Sequence, residues 1–150
     1  PVRRQSTDYN FHDSLLGGTP LWLAARFSEA KIMEALIEAG ANPKIINHMR
    51  YPAQRQGENF IRDEGEINLL MAAVGMGNSR LRVSWGTPER RAGQIASREA
   101  LALDASTIAL AAGADINGKN AEGQSALAFA KQRRYESIVT FLEAAGALEN

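Results

Sequence analysis

Few residues in this chain are of the types that do chemistry, and their spacing does not gather them. There are two histidines, His12 and His48, and no cysteine. Neither histidine has another donor at metal-ligand spacing. His12-Asp13 with Asp8 imitates part of a site, but adjacent side chains on an extended segment point to opposite faces. Both histidines therefore read as solvated loop residues. Gly75-Met76-Gly77 is a G-x-G without the preceding strand and the later helix-opening glycine of a phosphate cradle, so it reads as a helix stop. Asp63-Glu64-Gly65-Glu66 is an acidic turn with too short a ladder of oxygens for calcium. No G-x-S-x-G, H-E-x-x-H or paired-carboxylate element is present. The reading is a chain with no catalytic residue, no metal ligand and no cofactor: not an enzyme.

What remains is recognition chemistry. The segment 78–98 holds five arginines against one glutamate, with Trp85 among them. Tryptophan and arginine are the side chains most enriched in interface hot spots. The competing reading of Trp85 is an anchor that folds down onto its own unit.

The elements that must position these residues are short helices with clear punctuation. In Gly17-Gly18-Thr19-Pro20-Leu21-Trp22-Leu23-Ala24-Ala25, Thr19 can cap a helix, and Pro20 suits the first helical position because it has no N–H to leave unpaired. The helix runs to Arg26, and Ser28 falls where a tight turn is needed. A second helix follows, with Ile32, Met33, Leu36 and Ile37 on an apolar side and Lys31, Glu34 and Glu38 opposite. Gly40 ends it in the left-handed conformation that glycine adopts without steric cost.

This unit recurs. Gly113-Ala114-Asp115-Ile116-Asn117 and Gly146-Ala147 repeat its exit, and Gly113 and Gly146 lie 33 positions apart. Two further entries precede these exits, at Gly65 to Ala73 and Gly123 to Ala130. With TPLWLAA and EAGANP in the first copy, the chain resembles the ankyrin repeat family over about 100 residues, 33 being that family's period. Asn68 and Ala126 stand where the family has proline. The resemblance implies an all-α solenoid of helix–turn–helix repeats with extended, hairpin-like fingers between them.

The chain then divides as one domain. Residues 1–16 are a finger or N-terminal flap, 17–43 are repeat one, and 44–64 are an inserted finger. Residues 65–117 are repeat two with an inserted loop at 78–97, and 118–150 are repeat three. In the finger, Ile45-Ile46 and Phe60-Ile61 could pair as arms, with Tyr51-Pro52 and Gln56-Gly57 near the bend. The second helix of repeat two is expected from about Ser97 to Ala112. Repeat three reads as a C-terminal cap, because Lys131 and Glu143 replace the apolar residues on which another repeat would stack. The N-terminal side has no such charges. With Pro1 in place of methionine, this suggests a chain that is processed or part of something longer, with self-association possible at the uncapped N-terminal end.

Composition narrows the function further. Seventeen basic and seventeen acidic residues leave no net charge, which argues against a polyanion-binding surface over the whole molecule. No apolar run approaches the ~20 residues of a membrane span, and nothing identifies a compartment. The resemblance implies a non-catalytic module that presents a rigid concave surface to a protein partner. Contacts are expected at Arg26 and Phe27 beside the first helix, at Tyr51, Arg55 and Phe60 on the finger, and at Trp85, Arg90 and Arg91 on the insertion. Two alternatives stand beside it: nucleic-acid or acidic-ligand binding through the arginine-rich loop 78–98, and a spacer role within a larger protein.

Overall fold

Six helices and one hairpin make up the residues described by this computed structural model, which are 15, 17–52, 61–77 and 98–149. Helix α1 spans Pro20–Arg26 and α2 Ala30–Glu38; strands β1 Asn47–Pro52 and β2 Ile61–Ile67 follow. Then come α3 Leu69–Val74, α4 Arg98–Ala111, α5 Ala126–Arg133 and α6 Glu136–Ala144. The expected N-terminal segment 1–16 apart from Leu15, the bend 53–60 and the loop 78–97 lie outside the described residues.

Each first helix starts on a side-chain cap. Thr19 Oγ1 accepts from the Trp22 N–H at 3.2 Å, Asn68 Oδ1 from Met71 at 2.9 Å and Ser125 Oγ from Ala128 at 3.2 Å. Each such cap is worth about 1 kcal/mol. Asn68 is thus the cap of α3 rather than its first helical residue, and α3 is shorter than α1 and α5. The turns out of the first helices need a left-handed residue, supplied by Ser28 (φ 55°), Gly75 (φ 98°) and Arg134 (φ 60°). The second helices all exit through glycine, with φ of 88° at Gly40 and 91° at both Gly113 and Gly146.

Packing follows the order of the helices along the chain. Helix α3 packs on α1 and α5 on α3; in the other layer α4 packs on α2 and α6 on α4. Small residues let the layers approach: Ala25, Ala72, Ala105, Ala109 and Ala130 are completely buried. Trp22, Leu70, Met33 and Leu142 fill the larger spaces between them. The result is an ankyrin-like, mostly helical fold.

Two expectations need correcting. The hairpin arms are not Ile45-Ile46 with Phe60-Ile61. The ladder runs from Asn47 opposite Ile67 to Pro52 opposite Ile61, with a bulge that steps the register past Glu64. Ile45 and Ile46 lie before the first strand and are 45% and 50% exposed. On α2, Ile32 does not join Met33 in the core: it is 51% exposed, whereas Met33 is fully buried. At the other end, Lys131 and Glu143 are both exposed and pair at 2.9 Å, and Lys131 also pairs with Glu149.

Candidate partner-binding surface

The hairpin is the element that stands out from the helical layers, and alternation along β1 decides what it offers. Asn47 and Met49 are buried, while His48 and Arg50 are exposed. Opposite them, Gly65 and Ile67 are buried and Asp63 and Glu66 exposed. One side of the hairpin base is therefore held by the protein and the other side is presented. His48 Nε2 lies 3.3 Å from Asp63 Oδ1 across the exposed side, and the same oxygen accepts the Gly65 N–H at 2.9 Å. Farther out, Ile61 is 56% exposed.

Three contacts fix the hairpin to its neighbours. The buried Trp22 indole donates from Nε1 to the Ile67 carbonyl at 3.0 Å, tying α1 to the end of β2. Asn68 caps α3 with its oxygen and donates from Nδ2 to the Asp115 carbonyl at 2.8 Å, tying the start of α3 to the turn after α4. A Cβ at Gly118 would lie 2.6 Å from that Asn68 nitrogen. At Gly65 (φ +71°), a Cβ would lie 2.5 Å from the Ala121 backbone nitrogen. The hairpin and the following loop are therefore in backbone-to-backbone contact.

Ala121 belongs to a tight turn of its own. Asn120 Oδ1 accepts from the N–H groups of Glu122 (3.1 Å) and Gln124 (2.8 Å), and Lys119 and Ser125 form an isolated bridge. The last helix is locked similarly. Glu99 on α4 accepts from both the hydroxyl (2.6 Å) and the N–H (2.7 Å) of Ser137 in the first turn of α6. These hydrogen bonds hold the Glu99 carboxyl below its ordinary value, the hydroxyl contributing more. Lys131 is held above its ordinary value, first by Glu149 and then by Glu143.

The residues expected from sequence fall into three groups. Arg26 is half-buried and donates from Nη2 to the Gly77 carbonyl at 2.8 Å, so its head braces the segment after α3. Phe27 is half-buried and packs on the core. Tyr51 sits on β1 opposite Arg62. Arg55, Phe60, Trp85, Arg90 and Arg91 lie outside the described residues. Sequence reasoning missed His48, Arg50, Ile61 and Asp63 as the presented side of the hairpin. The sequence carries little signal for it: Asn47, His48 and Arg50 are all polar, and the alternation of buried and exposed positions through Asn47-His48-Met49-Arg50 shows only in the fold.

Among the described residues there is no group of three or more histidine, cysteine, aspartate or glutamate side chains placed to hold a metal ion. None of the described helices is long and apolar enough to cross a membrane. In comparisons with known proteins, residues 16–48 match the family model for the ankyrin repeat. No curated protein matches the chain.

Proposed function

We propose, from the ankyrin repeat at residues 16–48 as its first unit, that this chain is a non-catalytic protein-binding module. Ankyrin repeats generally serve as protein–protein interaction modules, and the fold alone does not name a partner. The finer reading is a short solenoid of three units, 17–43, 65–117 and 118–150, with β1–β2 as a finger. Unit three closes the array, its Lys131, Glu143 and Glu149 forming a charged, solvated end.

One observation carries this reading: a hairpin held at its base by Trp22 and by backbone contact with Ala121, yet exposed at His48, Arg50, Ile61 and Asp63. A surface already rigid loses little conformational entropy on association, so its contacts convert more fully into affinity. The mixture of one aliphatic side chain with both signs of charge suits a protein epitope better than a phosphate backbone, which needs accumulated positive charge. Tyr51, Arg55 and Phe60 lie on or beside this finger and belong to the same surface in this reading. Trp85, Arg90 and Arg91 form a second one on the insertion.

The test is affinity capture with the immobilised chain beside a variant carrying Arg50→Gln and Ile61→Ser. The variant is expected to keep the thermal midpoint of the parent and to lose its protein partner. Equal capture by the two chains would remove the hairpin from the interface. Retention of RNA or DNA in place of protein, released by modest salt, would overturn the protein-binding reading itself.

A further inference from the structure

The three second helices form an internal comparison that shows which side of each is covered by which neighbour. Aligned on their exit glycines Gly40, Gly113 and Gly146, Ile32 corresponds to Ala105 and Ile138, and Met33 to Ser106 and Val139. Helix α4, packed between α2 and α6, buries both positions: Ala105 and Ser106 are each 0% exposed. Helix α6 packs on α4 and buries the first position, with Ile138 at 0%, while Val139 is only half-buried. Helix α2 packs on α4 and shows the reverse, with Met33 at 0% and Ile32 at 51%. The first position is therefore the one that a preceding second helix covers, and the second position the one covered by a following helix.

The open side of α2 is apolar, whereas the open side of α6 sets a charge, Glu143, beside the half-buried Val139. Ala35 and Ala39 follow Ile32 at helical spacing, and both are exposed. On α6 the forward position corresponding to Ile37 and Leu110 is Glu143, paired with Lys131. Seating one copy's α6 end on another's α2 would bring that ion pair against Ile32 and strip it of water, which costs more than exposed ion pairs return. Head-to-tail association of two copies is therefore disfavoured. The α2–α4 and α4–α6 contacts specify instead what fits: a helix carrying an aliphatic residue where α2 has Ile37 and α4 has Leu110.

We propose that the Ile32–Ala35–Ala39 side of α2 is a stacking interface for a further helix–turn–helix unit of the same type. That unit would present aliphatic side chains at the forward positions. This interface is separate from the hairpin and independent of what the hairpin binds.

The experiment places a second copy of residues 16–48, one full period, directly ahead of residue 16 in the complete chain. The added α2 then presents its own forward-facing isoleucine to the original Ile32. The thermal midpoint is expected to rise by roughly 5–10 °C, from new apolar burial in a chain of this size. Ile32→Lys at the original position is expected to abolish that gain, yet to leave the midpoint of the unextended chain unchanged. The same substitution in the added copy, now outermost, is expected to have no effect and controls for helix propensity. No gain on extension would overturn the proposal, as would equal effects of Ile32→Lys in the extended and unextended chains. A dimer of the unextended chain in sedimentation, abolished by Ile32→Lys, would assign the face to self-association and also overturn it.

Discussion

Replacing Gly65 by alanine tests the tightest contact at any described glycine. Two penalties act at this position, and they can be separated. Its φ of +71° is left-handed, which costs an L-residue roughly 1–2 kcal/mol relative to glycine. The added Cβ would also lie 2.5 Å from Ala121 N, 2.6 Å from Ala121 Cβ and 2.9 Å from Ala121 Cα. Two of these three atoms are backbone, so no rotamer change relieves the overlap. Either β2 or the turn at 120–124 must move, at a cost of roughly 1–3 kcal/mol for overpacking of this kind. The expected loss for Gly65→Ala is therefore about 2–5 kcal/mol in urea unfolding followed by circular dichroism. Gly40→Ala is the control, because it has a similar φ of +88° and nothing within 4 Å of the added Cβ. It should lose only the conformational part, about 1–2 kcal/mol. Ala121→Gly in the Gly65→Ala background removes one of the three clashing atoms and should recover only a minor part of the loss. If Gly65→Ala and Gly40→Ala prove equally costly, the hairpin does not touch the next turn as described, and the rigid base argued for the finger is gone.

Three further outcomes follow from individual contacts. Trp22→Phe removes the donor to the buried Ile67 carbonyl and should destabilise by about 1–3 kcal/mol in urea titration, since an orphaned buried acceptor pays its desolvation in full; a change under ~0.5 kcal/mol would show that this link is dispensable. Ser106 is fully buried on α4, with no hydrogen-bond partner for its hydroxyl among the described residues. Ser106→Ala should therefore stabilise by about 1 kcal/mol, and a loss of that size would reveal a bond to the hydroxyl. Glu99 is held below its ordinary value of 4.5 in the folded state, so its contribution is fully present above that value and disappears as pH falls through the lower folded value. Glu99→Gln should accordingly flatten the acid limb of the stability–pH curve below pH 4.5, and leave the curve above neutrality with an unchanged slope.

The sequence by itself determined the helix punctuation, because capping and left-handed exits are local physics. Thr19 with Pro20, Ser125 before α5, and the exit glycines at 40, 113 and 146 act through hydrogen bonds and dihedrals spanning a few residues, so their types are readable wherever they stand. The 33-residue interval carried the family resemblance for the same reason. Asn68 marks the limit of that reading. Its place in the motif marked it as the stand-in for proline, but its oxygen caps α3 through the Met71 N–H, and only the fold brings its nitrogen to the Asp115 carbonyl, 47 residues on. The tertiary structure alone decided which side of α2 is buried. Ile32 and Met33 are adjacent and both apolar, and only the presence of α4 on one side makes Met33 core and leaves Ile32 exposed. It also decided the hairpin register, since β1 and β2 are joined through residues whose length does not set the pairing, and the burial of Met49 and Ile67 against the helices does. Arg26 changed its role for a similar reason: an arginine at the end of a short helix looks free for a partner until a carbonyl 51 residues away, at Gly77, comes within 2.8 Å of it.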